Sequence, residues 1–221
     1  MSTTKTVTRL QPVLDERKDA AATPEDVRKI WEDGIEAVRD SGVTMQAKNV
    51  GDGAPEFELP DARGETVALA SLLERGPVVL LWYRGGWCPY CNLTLRGYQE
   101  ILPQLDDAGA TLVAISPELP DNSLSTSEKN ELSFTVLSDV GNTVAKEYGV
   151  VFEVTEAVHE KYNEFFQFDD WNGNDTGELP LAATYVIDTD GVIRWAFLDA
   201  DYVARAEPAD VLAAVRGLQS D

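Results

Sequence analysis

The chain of 221 residues has two cysteines, Cys88 and Cys91, set three apart as Cys88-Pro89-Tyr90-Cys91. A thiol reacts as its thiolate, and a helix N-terminus, with unpaired N–H groups and the positive end of the helix dipole, favours that form. The pair follows an unbroken apolar run, Val78 to Tyr83, and precedes a helical pattern that Pro89 can open. The cysteines are therefore expected where a buried strand hands over to a helix. At this spacing two thiols can close a disulfide within one helical turn, so one can attack and the other resolve. A CxxC in that setting reads as a redox motif. A structural zinc site needs four ligands, and only His159 and carboxylates remain to complete one, so no metal is expected. A purely structural disulfide suits an oxidising compartment rather than the cytoplasm.

The rest of the chain has to build that strand-to-helix junction. From Val50 on, strands and helices alternate. Short strands at 57–59 and 67–69 are joined by Arg63-Gly64, and a short helix at 71–75 leads to the buried strand at 78–83. A helix at 89–107 with Pro103 as a kink is followed by a strand at 111–116, a helix at 125–132, a strand at 135–137 and helices at 143–148 and 155–166. Residues 168–180 read as a polar loop bearing aromatics. Strands at 184–187 and 192–197, joined by Asp188-Thr189-Asp190-Gly191, form a hairpin before a closing helix at 208–218. This order predicts an α/β fold, a thioredoxin-like three-layer sandwich around a mixed β-sheet. Residues 1–47 are expected to form an N-terminal helical extension and residues 48–221 the thioredoxin-like domain. Thr23-Pro24-Glu25-Asp26 starts one helix of the extension and Ser41-Gly42 ends it, while an earlier helix at 7–18 is weakened by Pro12.

Composition narrows the function. With 18 Lys+Arg against 39 Asp+Glu the formal charge is −21, which argues against binding nucleic acid or an anionic membrane surface. The longest apolar run falls far short of the roughly 20 residues a membrane-spanning helix needs. No apolar h-region follows the N-terminus, so a cytoplasmic location is expected. The hydrophobic fraction of 43% is enough for a large core.

The run Trp82-Tyr83-Arg84-Gly85-Gly86-Trp87-Cys88-Pro89-Tyr90-Cys91 resembles the active-site segment of peroxiredoxin-like proteins of the alkyl hydroperoxide reductase/thiol-specific antioxidant superfamily. Val50-Gly51-Asp52-Gly53-Ala54-Pro55, Ala114-Ile115-Ser116-Pro117-Glu118, Leu137-Ser138-Asp139 and Thr184-Tyr185-Val186-Ile187-Asp188 also fit. The likeness covers about residues 48 to 218. It implies reduction of hydrogen peroxide or organic hydroperoxides by a thiolate, with no cofactor and with a thioredoxin-like or glutathione-type reductant. Peroxiredoxins carry their peroxidatic cysteine in a Pro-x-x-x-Thr-x-x-Cys motif. Aligned to it, Cys91 takes the peroxidatic place, Cys88 stands where the Thr would be and Arg84 where the Pro would be. The family's arginine, six residues before the Asp that ends the late strand, falls on Ala182. Many relatives form dimers, and the N-terminal helices could pack against a second copy or across their own domain.

Two assignments of the thiols stay open at this point. On the peroxiredoxin pattern Cys91 attacks peroxide and Cys88 resolves. On the pattern of thioredoxin Cys88 attacks a disulfide and Cys91 resolves, which would make the protein a thiol-disulfide oxidoreductase. A third reading is a redox sensor that does not turn over. Arg84, Trp87, Pro89 and Tyr90 are the candidate substrate contacts. Arg84 is either the missing positive charge or half of an ordinary surface ion pair, and Tyr90 is expected to be exposed. Arg96 is a weaker candidate, expected in solvent, and Trp82 and Tyr83 are expected to pack in the core. Ser116 and Glu118 either line the pocket or begin a loop. His159 is expected at the surface or in packing, and Trp171 with Asn172 are candidates for a lid.

Overall fold

The structure is a computed structural model that describes residues 9–218. These form α1 (Leu10–Asp19), α2 (Glu25–Asp40), α3 (Val43–Gln46), β1 (Glu58–Pro60), β2 (Thr66–Ala68), α4 (Leu69–Leu73), β3 (Val78–Trp82), α5 (Pro89–Asp107), β4 (Thr111–Ser116) and α6 (Pro120–Lys129). There follow β5 (Thr135–Ser138), α7 (Thr143–Glu147), β6 (Val151–Glu153), α8 (Glu156–Phe166), α9 (Phe168–Asn172), β7 (Glu178–Pro180), β8 (Thr184–Ile187), β9 (Ile193–Phe197) and α10 (Pro208–Gly217).

β3 is buried along its whole length, as consecutive apolar residues require of a strand covered on both faces. It pairs in parallel with β4 and antiparallel with β8, within a mixed sheet of order β5-β4-β3-β8-β9. Alternate side chains of β3 enter opposite layers. Val79, Leu81 and Tyr83 join Leu95 and Ile101 of α5 and Val211 of α10. Val78, Leu80 and Trp82 join Leu69 and Leu72 of α4 and Val144 of α7. The result is a thioredoxin-like three-layer α/β sandwich. Trp82 and Tyr83 lie in its core, each 1% exposed.

The N-terminal helices are fixed to this sandwich at two points. Pro12 falls in the first turn of α1, where an N–H would have no partner within the helix, so it does not weaken the helix as the sequence suggested. The first turn is capped instead from the far end of the chain. Glu207 accepts the N–H of Leu10 at 2.7 Å and that of Gln11 at 2.9 Å. Leu10 and Leu14 bury themselves with Val203 against Tyr90 and Leu93. α2 crosses α8 closely at Gly34, where an added Cβ would lie 2.7 Å from Val158 Cγ2. Next to that crossing Trp31 stacks on Tyr162 with ring centroids 5.2 Å apart.

Several elements differ from the sequence expectation. The expected polar loop at 168–180 contains α9 and β7, and Phe168, 1% exposed, is part of the core. β7 and β6 are a three-residue antiparallel pair, too short for periodicity to register, and Pro180 is tolerated at the end of such a strand. The helix expected at 125–132 begins five residues earlier, with Pro120 at its first position. Pro103 lies inside α5, which runs on past it to Asp107.

The close crossing at Gly34 gives a test of how α2 is seated. On a free helix Gly→Ala stabilises by about 1 kcal/mol. Gly34→Ala is expected to do the reverse and lower the urea unfolding midpoint. A raised midpoint would mean that α2 is not packed on α8 at this position.

Candidate active site

Beyond β3 the chain continues through Tyr83 and Arg84 into a tight loop, and Cys88 becomes the N-cap of α5 with Pro89 at the first helical position. Gly85 has φ +148, and a Cβ there would meet Trp87 Nε1 at 2.2 Å. A Cβ on Gly86 would meet Thr126 Oγ1 at 1.9 Å, so the loop passes where only glycine fits. Two buried side chains hold it. Glu118 accepts the Gly86 N–H at 2.7 Å and the Tyr83 hydroxyl at 3.0 Å. Asn92 donates to the carbonyls of Gly86 at 2.7 Å and Cys88 at 3.0 Å. Burial pushes the Glu118 carboxyl up to about 7 against these hydrogen bonds. Glu118 thus belongs to the frame of the loop, and Ser116 donates to it at 3.3 Å.

Cys91, at 0% exposure, lies one helical turn into α5. The Arg84 N–H donates to its sulfur at 3.4 Å and Arg205 Nη2 donates at 3.7 Å. Burial alone would raise the Cys91 thiol. The hydrogen bond from the Cys88 thiol, the two guanidinium groups and the Arg84 N–H outweigh it and bring Cys91 down to about 5. Cys88 moves the other way: burial, its bond to Cys91 and the charge on Cys91 all raise it. The pair therefore holds one thiolate, on Cys91, and one proton, on Cys88.

The charge that balances Cys91 comes from inside the protein. Arg84 is 3% exposed and Arg205 4%. Among the described residues neither forms an ion pair with a carboxylate. The Arg84 guanidinium lies 5.0 Å from the Trp87 ring, 5.0 Å from Tyr162 and 4.6 Å from Tyr202, and it hydrogen-bonds the Tyr162 hydroxyl. This excludes the surface ion pair that the sequence left open for Arg84. Arg205 is held by the loop before α10. Its Nη1 donates to the Ala204 carbonyl at 2.8 Å and its backbone N–H donates to Gln11 Oε1 at 3.3 Å.

Arg84, Trp87, Pro89 and Tyr90 line one cavity of about 310 Å³ together with Cys88, while Cys91 lies behind its wall. Tyr90 is half-buried rather than exposed, 5.5 Å from the Tyr202 ring. The other expectations fall outside the cavity. Arg96 is exposed and donates to Asn130 at 2.8 Å. His159 pairs with Asp169 at 2.7 Å. Trp171 and Asn172 lie on α9, where the Trp171 carbonyl accepts from Leu119 and Asn122 at the start of α6. The sequence reading missed Arg205, Tyr162 and Tyr202. Each is far from the motif in the chain, and no local pattern marks them. Among the described residues there is no cluster of three or more metal-ligating side chains, and no helix is long and apolar enough to cross a membrane.

The AhpC/TSA family profile matches residues 50–196. The chain belongs to the AhpC/TSA family. It is 31% identical over 152 residues to the chloroplastic peroxiredoxin Q of Populus jackii, a match covering 68% of this chain and 61% of that protein. It is 33% identical over 106 residues to peroxiredoxin Bcp of Escherichia coli, covering 48% of this chain and 67% of that one. The chain thus spans about three fifths of the length of the plant relatives. Among solved structures, peroxidoxin BcpB of Mycobacterium tuberculosis superposes with a TM-score of 0.61 at 25% identity, over 77% of this chain and 97% of that chain. Peroxiredoxin Q of Xanthomonas campestris, 18% identical with a TM-score of 0.55 over 73% of this chain and 90% of that chain, shares the fold. Ala182, where the sequence resemblance would put an arginine, carries no charge, and Arg205, beyond the hairpin, contacts Cys91 instead. Cys88, where the family has a hydroxyl, supplies a thiol that makes the same kind of hydrogen bond to Cys91.

The Cys91 thiolate should therefore be visible in the reduced protein. Absorbance at 240 nm is expected to titrate with a midpoint near 5. Arg205→Met should raise that midpoint by about one unit or more, and an unmoved midpoint would show that Arg205 does not hold the charge. Because the folded thiol lies below its unfolded value near 9, its contribution to stability is complete above that value and is lost as pH falls through about 5.

Proposed function

We propose that the chain is a thiol-dependent peroxidase that reduces hydrogen peroxide or organic hydroperoxides through a Cys91/Cys88 dithiol–disulfide cycle. The observation that carries this reading is the Cys91 sulfur, held as a thiolate by the Cys88 thiol, the Arg84 N–H and two buried guanidinium groups. Membership of a family whose relatives are named peroxiredoxins supports it.

In this cycle the Cys91 thiolate attacks the terminal oxygen of the peroxide. The O–O bond breaks, Cys91 becomes a sulfenic acid, and the departing alkoxide or hydroxide takes up a proton to leave as alcohol or water. Arg84 and Arg205 sit where negative charge passes from sulfur to oxygen, the place where fixed positive groups accelerate such a step. Cys88 gives up its proton and attacks the Cys91 sulfur. The S–O bond breaks, a second oxygen leaves as water, and the disulfide forms. The two electrons taken by the peroxide thus come from the two thiols, and an external thiol returns them. Arg84, Trp87, Pro89 and Tyr90 form the substrate's surroundings in this scheme. The opposite assignment, with Cys88 as the attacking thiolate, requires the ionised thiol to be the one that burial and the neighbouring charge keep protonated. We read residues 48–221 as the peroxidase unit and residues 1–47 as an extension whose segment from Arg17 to Trp31 walls its cavity, with residues 1–8 and 219–221 lying outside the described residues. A cytoplasmic location, where the pair would be kept reduced, fits this cycle.

Stopped-flow tryptophan fluorescence tests the assignment, since Trp87 borders Cys88. Mixed with hydrogen peroxide, the reduced protein is expected to show a fast phase that persists in Cys88→Ser and is absent in Cys91→Ser. A phase that needs Cys88 and survives in Cys91→Ser would reverse the roles. No peroxide-dependent phase in the wild type would overturn the peroxidase reading.

A further inference from the structure

The cavity beside the cysteines has a charge that reduction of a small neutral peroxide does not by itself require. Its sixteen lining residues include Arg17 and Arg84 and no Asp or Glu, in a chain of net charge −21. Arg17, near the end of α1, is exposed and forms no ion pair among the described residues. Two buried donors on lining residues, Arg84 Nε and Trp87 Nε1, have no hydrogen-bond partner among the described residues. The volume, about 310 Å³, falls at the lower end of the range that holds a small organic molecule.

The same cavity reaches Cys88 and not Cys91. Cys88 is 2% exposed and shares the cavity's lining with Ala21 to Pro24 of the connection between α1 and α2 and with Val27 and Trp31 of α2. A cavity of this size takes a small thiol, whereas a folded protein does not fit inside it.

We propose that a low-molecular-weight anionic thiol enters this cavity and reopens the Cys88–Cys91 disulfide by attacking the Cys88 sulfur. The inference rests on the disulfide of the proposed cycle and concerns its reductive half. The ligand's thiolate bonds to Cys88 Sγ, the Cys88–Cys91 bond breaks, and Cys91 leaves as the thiolate. A second molecule of the thiol then attacks the ligand sulfur of the mixed disulfide. That releases the ligand's own disulfide and returns Cys88, which takes up one proton. Two electrons pass from two small thiols to one protein disulfide. Exchange is fastest toward the sulfur whose partner is the better leaving group, and the groups around Cys91 make it that leaving group. Arg17 and Arg84 supply the positive charge that a carboxylate-bearing thiol would meet, and Trp87, Tyr90 and Trp31 the apolar walls.

The test begins from protein oxidised with diamide, so that it does not depend on peroxide. Reduction is followed by tryptophan fluorescence with glutathione, with 2-mercaptoethanol as a neutral thiol, and with a bacterial thioredoxin. Samples quenched with acid are mapped by peptide mass spectrometry. The expected result is a glutathione adduct on Cys88 and a glutathione-to-2-mercaptoethanol rate ratio that falls about fivefold or more in Arg17→Glu at low ionic strength. An adduct on Cys91, a ratio that Arg17→Glu does not change, or reduction by thioredoxin that outruns glutathione at equal thiol concentration would each overturn the proposal. Failure of diamide to form the disulfide would overturn it as well. A protein that passes these tests yet shows no reaction with peroxide would retain this thiol chemistry and lose the peroxidase reading.

Discussion

Two arginines are buried beside one sulfur, and among the described residues neither forms an ion pair with a carboxylate; the arrangement of the site follows from that imbalance. A buried guanidinium without a counter-charge is unstable, and removing one partner of such a group is more costly than never having buried it. Here the counter-charge is the Cys91 thiolate, touched by Arg205 at 3.7 Å and by the backbone of Arg84 at 3.4 Å. Aromatic faces shield the Arg84 guanidinium from water on three sides. Activation of the thiol and stability of the surrounding core are thus one electrostatic problem with a shared solution.

That solution depends on parts of the chain far apart in sequence. Arg205 is placed by a loop whose backbone is held by Gln11, and α1 is capped by Glu207 just beyond that loop. The N-terminal and C-terminal segments therefore support each other on either side of Cys91. Neither lies within residues 50–196, the span the family profile matches, so part of this site comes from outside that span. Tyr162, from α8, completes the aromatic cage, and α2 presses on α8 through the gap at Gly34.

Sequence and structure agree where local patterns carry the information. The apolar run at 78–83 could only be a doubly covered strand, and a CxxC opening a helix with Pro at its first position places both thiols at that helix's N-terminus. The order of elements was enough for the sandwich. Local pattern fails where a residue's role depends on distant partners. Arg84 stays undecided between a site charge and a surface ion pair until three rings from three segments are seen around it, and Arg205 lies in a connection with no motif. Pro12 looks disruptive only when the start of α1 is unknown. Phe168 looks like part of a loop because α9 and β7 are too short to show a period.

The position of Cys88 also bears on the durability of such a catalyst. On the proposed cycle, the thiol that hydrogen-bonds Cys91 before the reaction is already beside the sulfenic acid it captures, one turn of helix away. Intramolecular capture competes with a second peroxide molecule, whose attack would carry the sulfur on to the irreversible sulfinic acid. On that cycle a short-lived sulfenic acid keeps the second oxidation infrequent, so a thiol at residue 88 would make the site resistant to peroxide at high concentration.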